Sequence, residues 1–320
     1  MYDFSEKHGV YLKNRQIIKA GVGMGLKGEF RAILRDKKGN ALYDSGWNRN
    51  LITNNASWMY DSVNWYSWCT IGSDGTAPDV TNTSIGVFLA SQVSSTNPMP
   101  SPDYPRPPVA PLYERYSIKK WRFDAGQGTG TIREFTLGST NDGLNAFCRH
   151  VLPAPIPKDV DQSLDIFYRF TIYPDLTPRT GTVTIDGVLY DWETSFFDLD
   201  TFNYGIFARQ DFNMTFSSNW RVYDGAKAGP LDSTPSGNSS GSAIFSFVGE
   251  GPWYRTRRFY MNLDYCNTAT NQIKVATVPL QTYHKVQVQI LDNATGTSGI
   301  PKDNTKEAYL DWTLWWSRYP

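Results

Sequence analysis

The sequence predicts an all-β protein: two related antiparallel β-sandwich-like domains with long loops and an extended N-terminal arm. Three observations predict it. Aromatic residues make up 15% of the 320 residues and charged ones only 19%. That balance suits pleated, half-buried surfaces, where aromatic and β-branched side chains pack well, and it disfavours disorder. Apolar and polar residues alternate through short runs bounded by Gly, Pro, Asn and Asp, the period-2 pattern of strands. No long stretch keeps the 3.6-residue period of an amphipathic helix.

Residues 1–18 mix charges, a glycine and a few aromatics without periodicity and read as an arm. The first domain is read as 19–174 and the second as 175–320. From Gly28, GEFRAILRD puts Phe30, Ala32 and Leu34 on one face and Arg31, Ile33 and Arg35 on the other. KKGN at 37–40 is a turn and ALYDSGWNRNLIT returns, which makes a hairpin. Asn54 or Asn55 can cap a short helix at ASWMYDSV, 56–63. WYSWCTIG is the next strand, and SDGTAPDVTNTS is a loop dense in turn residues. Residues 91–112 hold seven prolines. Proline lacks the ladder N–H, so this stretch reads as an extended loop lying on a surface or a neighbour. Strands resume at YSIKKWRFDA, TIREFTLG, NAFCRHVLP and LDIFYRFTIYP.

In the second half, TGTVTIDGVLYDWET is a hairpin around Asp186-Gly187. Residues 226–243, rich in Gly, Ser, Pro and Ala, form a long loop. Strands follow at AIFSFVG, YRTRRFYMNLDY, NQIKVATV, HKVQVQILD and YLDWTLWWSRYP. The halves end alike. IPKD stands at 156–159 and again at 300–303, each followed by a polar spacer and a strand beginning Leu-Asp. KKWRFDAGQGTGTIREFTL resembles RTRRFYMNLDYCNTATNQIKVATV in order. This ordered series predicts a diverged duplication, although the N-terminal portions of the halves do not visibly match.

Composition narrows the function classes. The 31 basic and 31 acidic residues cancel and no half carries a basic stripe, so nucleic acid is not an expected partner. No apolar run approaches the ~20 residues needed to cross a bilayer, so membrane insertion is not expected. MYDFSEKHGVYLKN has no apolar core of a secretory signal, which predicts folding in a cytoplasm. Cys69, Cys148 and Cys266 are far apart from one another, with no CxxC. Neither zinc nor a disulfide framework follows from them, and no cofactor is expected.

No enzyme is expected either. His8, His150 and His284 are the only histidines, and no HExxH or P-loop pattern accompanies them. GVGMG after Ala20 lacks a preceding apolar strand and a following helix, so it is not read as a nucleotide loop. Asp159 with Asp161 and Asp198 with Asp200 are acid pairs. Held roughly 5–9 Å apart, such pairs can hydrolyse glycosides. The plainer reading is turn acids that cap backbone N–H groups.

The aromatics stand out. Trp65, Tyr66 and Trp68 in WYSW, and Trp312, Trp315 and Trp316 in WTLWW, put rings on both faces of their strands. One face fills a core; the other is a candidate subunit interface. Stacking on sugar rings of a host surface glycan is the alternative use.

Several segments resemble virion proteins of tailed bacteriophages, of the tail, tail-fibre or collar-fibre type. They are GWNRNLITNNASWMYDSV (46–63), CTIGSDGTAPDVTNTSIG (69–86) and WRFDAGQGTGTIREFTLG (121–138). The closing pattern of IPKD, spacer and aromatic strand recurs at 156–173 and 300–318. The resemblance covers about residues 28–174; beyond 175 it rests mainly on the closing pattern. It implies a structural role in the tail, collar or fibre of a virion assembled in the host cytoplasm. It also implies homo-oligomers and other virion proteins as partners, with no catalytic residues to carry over.

Overall fold

A computed structural model describes residues 18–55, 66–94, 115–197, 220–230, 234–241, 244–251, 253–261, 266–279, 285–302 and 308–318. Among them there is no α-helix. The first half contributes β1 (Ile18–Arg35), β2 (Ala41–Asp44), β3 (Asn48–Arg49), β4 (Leu51–Ile52), β5 (Trp68–Gly72), β6 (Phe88–Val93), β7 (Arg115–Phe123), β8 (Gly130–Gly138), β9 (Cys148–Lys158) and β10 (Ser163–Pro174). The second contributes β11 (Arg179–Ile185), β12 (Val188–Phe197), β13 (Arg221–Tyr223), β14 (Ser239–Gly241), β15 (Ile244–Gly251), β16 (Tyr254–Met261), β17 (Gln272–Ile273), β18 (Val275–Pro279), β19 (Lys285–Asp292), β20 (Ile300–Pro301) and β21 (Ala308–Arg318).

These strands form a central sheet flanked by two smaller ones. The central sheet runs β15-β16-β21-β1-β10-β7, with β2 and β3 also paired to β1. The N-terminal flanking sheet runs β4-β9-β8-β5-β6, and the C-terminal one β11-β12-β19-β18-β13-β14. Strands β17 and β20 pair separately. The fold is therefore all-β, with the helix expected at 56–63 and the acid pair 198/200 outside the described residues.

Alternation decides which face each strand buries. Phe30, Ala32 and Leu34 point inward, as their spacing predicts, opposite Tyr168, Ile166 and Leu164 of β10. Phe30 closes the gap to the N-terminal flanking sheet, 5.6 Å from the Phe135 ring centroid and 4.9 Å from that of Tyr168. In the second half, Trp220 beside β13 meets Phe259 of β16 at 5.0 Å. The hairpin turn at Asp186-Gly187 has positive φ at both residues (50° and 81°), the geometry that matches the twist of paired strands.

The two halves repeat one strand plan. The order β4-β9-β8-β5-β6 in one flanking sheet corresponds to β12-β19-β18-β13-β14 in the other. In the central sheet Leu164 faces Phe123 and Asp165 faces Arg122, as Leu310 faces Phe259 and Asp311 faces Arg258. In the flanking sheets Thr136 faces Arg149, as Thr277 faces Gln287. The N-terminal hairpins match too: Leu34 faces Tyr43 and Ile33 faces Asp44, while Val183 faces Tyr190 and Thr182 faces Asp191. The shared Leu-Tyr-Asp at 42–44 and 189–191 is hidden in the sequence because no other nearby residues match.

Three boundaries differ from expectation. Strand β1 begins at Ile18, not Gly28, so GVGMG lies inside a strand. Residues 88–93, which overlap the start of the proline-rich stretch, form β6; the prolines themselves lie outside the described residues. The halves do not have separate central sheets: β1 pairs antiparallel with β10 of its own half and parallel with β21 of the other.

Candidate interaction surface

The buried polar groups come first, because chemistry would need them. On the outer face of the N-terminal flanking sheet, alternation brings out Thr70, Glu134, Thr136 and Arg149, yet all four are buried. The loop 73–87 lies over them. Glu134 is the clamp: its carboxylate accepts from the amides of Gly86 and Val87, both at 3.0 Å, and from Arg149 Nε at 2.8 Å. Arg149 in turn donates to Asn82 Oδ1 at 2.8 Å and Asp74 Oδ2 at 3.1 Å. Gln287, in Arg149's place in the repeated plan, does the same work for the loop after β13. Its Oε1 accepts from Ala228 N at 2.9 Å and its Nε2 donates to Ala228 O at 2.7 Å. These groups hold loops; their bonds point into the loops rather than into a cleft.

On the outer face of the central sheet, Asp165 accepts from Arg35 at 2.8 Å and Lys120 at 3.1 Å. Its counterpart Asp311 accepts from Nε and Nη2 of Arg258, at 2.7 and 2.9 Å. Around Asp311 the second half carries a ladder of cross-strand pairs: Tyr260 stacked on Tyr309 at 5.0 Å, Thr256 with Thr313 at 2.8 Å, and Tyr254 opposite Trp315. The first half carries charges there instead: Arg169 bridges to Glu29 at 2.8 Å.

His150 is the one described histidine, and it sits in the core. Its Nδ1 lies 3.1 Å from Arg49 O, and its ring packs against Phe30 and Phe135. Burial pulls its pKa down to about 4, against a smaller upward pull from the Arg49 carbonyl. The folded state thus resists a proton that the unfolded chain takes up near 6.5. Between those values the unfolded state binds more protons, so stability rises with pH across the window. It is complete above about 6.5 and lost as the pH falls toward 4. Denaturant unfolding at pH 7 and pH 4.5 is expected to show the parent losing about 2–3 kcal/mol more than His150→Gln over that interval. Equal losses would mean that His150 does not drive the acid sensitivity.

Cys69, Cys148 and Cys266 are free and buried. Burial pushes the Cys69 and Cys148 thiols far up and holds Cys266 at about 12. None is a nucleophile at neutral pH. Asp159 and Asp161 are exposed in the turn between β9 and β10. Among the described residues no group of three or more His, Cys, Asp and Glu side chains could hold a metal ion.

The candidate aromatics are corrected by the packing. Tyr66, Trp312 and Trp316 are core residues, with exposures of 1%, 0% and 3%, and cannot be surface contacts. Strand β21 is buried on its inner face, so the ring run that reads as surplus fills the sandwich. Trp315 points outward but is capped: the Arg179 guanidinium sits 4.1 Å from its ring centroid. Trp68 is half-buried on β5, and Trp65 lies outside the described residues. What the surface exposes instead is mostly aliphatic. Val87, Phe88 and Val93 in and beside β6 are each about half exposed, as is Leu144. Strand β6 ends its sheet with β5 on one side and, among the described residues, no partner strand on the other. Sequence reasoning missed it because residues 91–93 fall in the stretch read as an extended loop; the signal is a run, FLASQV, without charge, Gly or Pro.

No protein-family model matches the chain, and neither does any curated protein or solved structure.

Proposed function

We propose that this chain is a non-enzymatic structural protein of a tailed-bacteriophage particle, a tail, collar or fibre component that works through protein–protein contacts. The observation that carries the assembly role is β6. An edge strand displays a row of unpaired N–H and C=O groups, and proteins usually blunt such edges with Lys or Pro. FLASQV has neither, and it exposes Phe88 and Val93. The place in a virion is supported by the resemblance of segments 46–63, 69–86, 121–138 and the two closing patterns. The repeated strand plan supports reading the halves as diverged duplicates that share one central sheet.

The mass of the purified chain by light scattering after size exclusion tests this. A defined oligomer well above the 36.2 kDa of one chain is the expected result. A stable monomer would count against self-assembly. It would favour the second reading, host-glycan binding, for which the Tyr260–Tyr309 stack beside the Arg258–Asp311 pair offers a platform of rings and fixed polar groups.

A further inference from the structure

In the N-terminal half, β10 is flanked by β7 and, antiparallel, by the β1 strand of the β1–β2 hairpin. The repeated plan gives β21 the same needs: β16 on one side and its own hairpin strand, β11, on the other. Strand β11 is not there. It lies at the end of the C-terminal flanking sheet, where among the described residues its one partner strand is β12. The edge of β21 is instead filled in parallel by residues 18–26, from Ile18 facing Leu310 to Leu26 facing Arg318.

The filling segment is made for that place. Ala20, Val22, Met24 and Leu26 are buried, in register with Trp312, Leu314, Trp316 and Arg318. The glycines between them face outward. A β-carbon on Gly21 would lie 2.1 Å from the Trp315 ring, and one on Gly23 would lie 3.2 Å from both Arg179 and Asp175 side chains. This is what GVGMG does: it lets Trp315 and Arg179 lie flat on the strand. The other edge of the segment is tied by Thr194 Oγ1 to Gly21 O and by Asp175 N to Gly23 O, both at 2.9 Å. Residues 18–26 therefore rest on β21, the end of β10 and residues 175–194. Pairing with β21 ends at Leu26, while pairing with β10 begins at Met24 and continues to Arg35, with β2 and β3 joining from Glu29 on.

We propose that the edge of β21 is a strand-acceptor site for a Gly-x-Gly-x-Gly strand, and that residues 18–26 of one copy occupy the acceptor of a second copy. Every contact the segment makes is offered identically by a second copy, so exchange about Lys27 links subunits without a new interface. The main-chain ladder supplies affinity, and the glycine pattern supplies selectivity. This rests on the assembly reading above and names its partner and its joint.

The test is a cysteine pair in the full chain, Val22→Cys with Leu314→Cys, at positions that face each other in register. Adjacent strands bring such pairs within disulfide reach, and the three native thiols are buried and un-ionised. After oxidation, a denaturing gel without reductant is expected to show most of the chain as covalent dimers or larger species. Oligomers by light scattering that yield only single-chain bands would overturn the exchange while leaving the assembly reading intact. A monomer with an intrachain bond would overturn both. Absence of any cross-link in folded protein would show that residues 18–26 do not fill the site. Gly25→Cys with Ser317→Cys, at the exposed end of the same register, repeats the experiment if the buried pair impairs folding.

Discussion

Replacing Glu134 with alanine is expected to cost about 3–5 kcal/mol of folding stability, because it strands a buried guanidinium. Glu134 has no exposed surface and Arg149 only 4%. Removing the carboxylate takes away the Nε partner of Arg149 and the acceptor of the Gly86 and Val87 amides in one step. Asp74 and Asn82 keep part of the guanidinium satisfied, which places the loss within that range rather than above it. Glu134→Gln keeps an acceptor oxygen for the loop amides and loses only the charge. It is expected to cost roughly 1–3 kcal/mol, the scale of a hydrogen bond to a charged group. Urea unfolding of both variants measures the difference. Hydrogen exchange at Gly86 and Val87 should rise sharply in the alanine variant and modestly in the glutamine one. A loss below about 1 kcal/mol for Glu134→Ala would mean that the loop is held by something other than this clamp.

The clamp also shows where the sequence stops being readable. Alternation with Phe135 and Leu137 places Glu134 on the outer face of its strand, beyond a bulge between Ile132 and Glu134 that the sequence does not announce. That the outer face is itself buried depends on a loop more than 40 residues away, the Glu134–Gly86 bond spanning 48 positions. No local pattern carries that. The same limit explains the aromatics. WTLWW gives the right alternation, but which face meets the core is fixed by β1 and β16 beside it. Strand identity and hairpin turns were legible because they are local: Asp186-Gly187 and KKGN sit where expected. The start of β1 was not, because glycine-rich segments are poor strands by propensity. Here Trp315 makes glycine necessary, and Trp315 lies at the other end of the chain.

Trp312→Ala follows from the same strand and has an effect of similar size. Trp312 is fully buried, and it stands between Ala20 of β1 and Arg257 of β16 in register. Ala20 is too small to fill the space a lost indole leaves, and the paired backbones on both sides cannot collapse into it. Truncating a buried tryptophan costs about 3–5 kcal/mol under such conditions. Trp315, three residues on and facing out, is a built-in control. Its ring covers Gly21 and carries Arg179, but it is only partly buried, and Trp315→Ala is expected to cost only about 1 kcal/mol. Thermal or denaturant unfolding of the two variants side by side decides the matter. If Trp315→Ala proved the more damaging, the face of β21 toward the core would be the wrong one. Because β21 packs with β1 on one edge and β16 on the other, the loss at Trp312 should also loosen residues 18–26, visible as faster hydrogen exchange at Val22 and Met24. Exchange there unchanged, with stability lost, would confine the tryptophan's role to the β16 side.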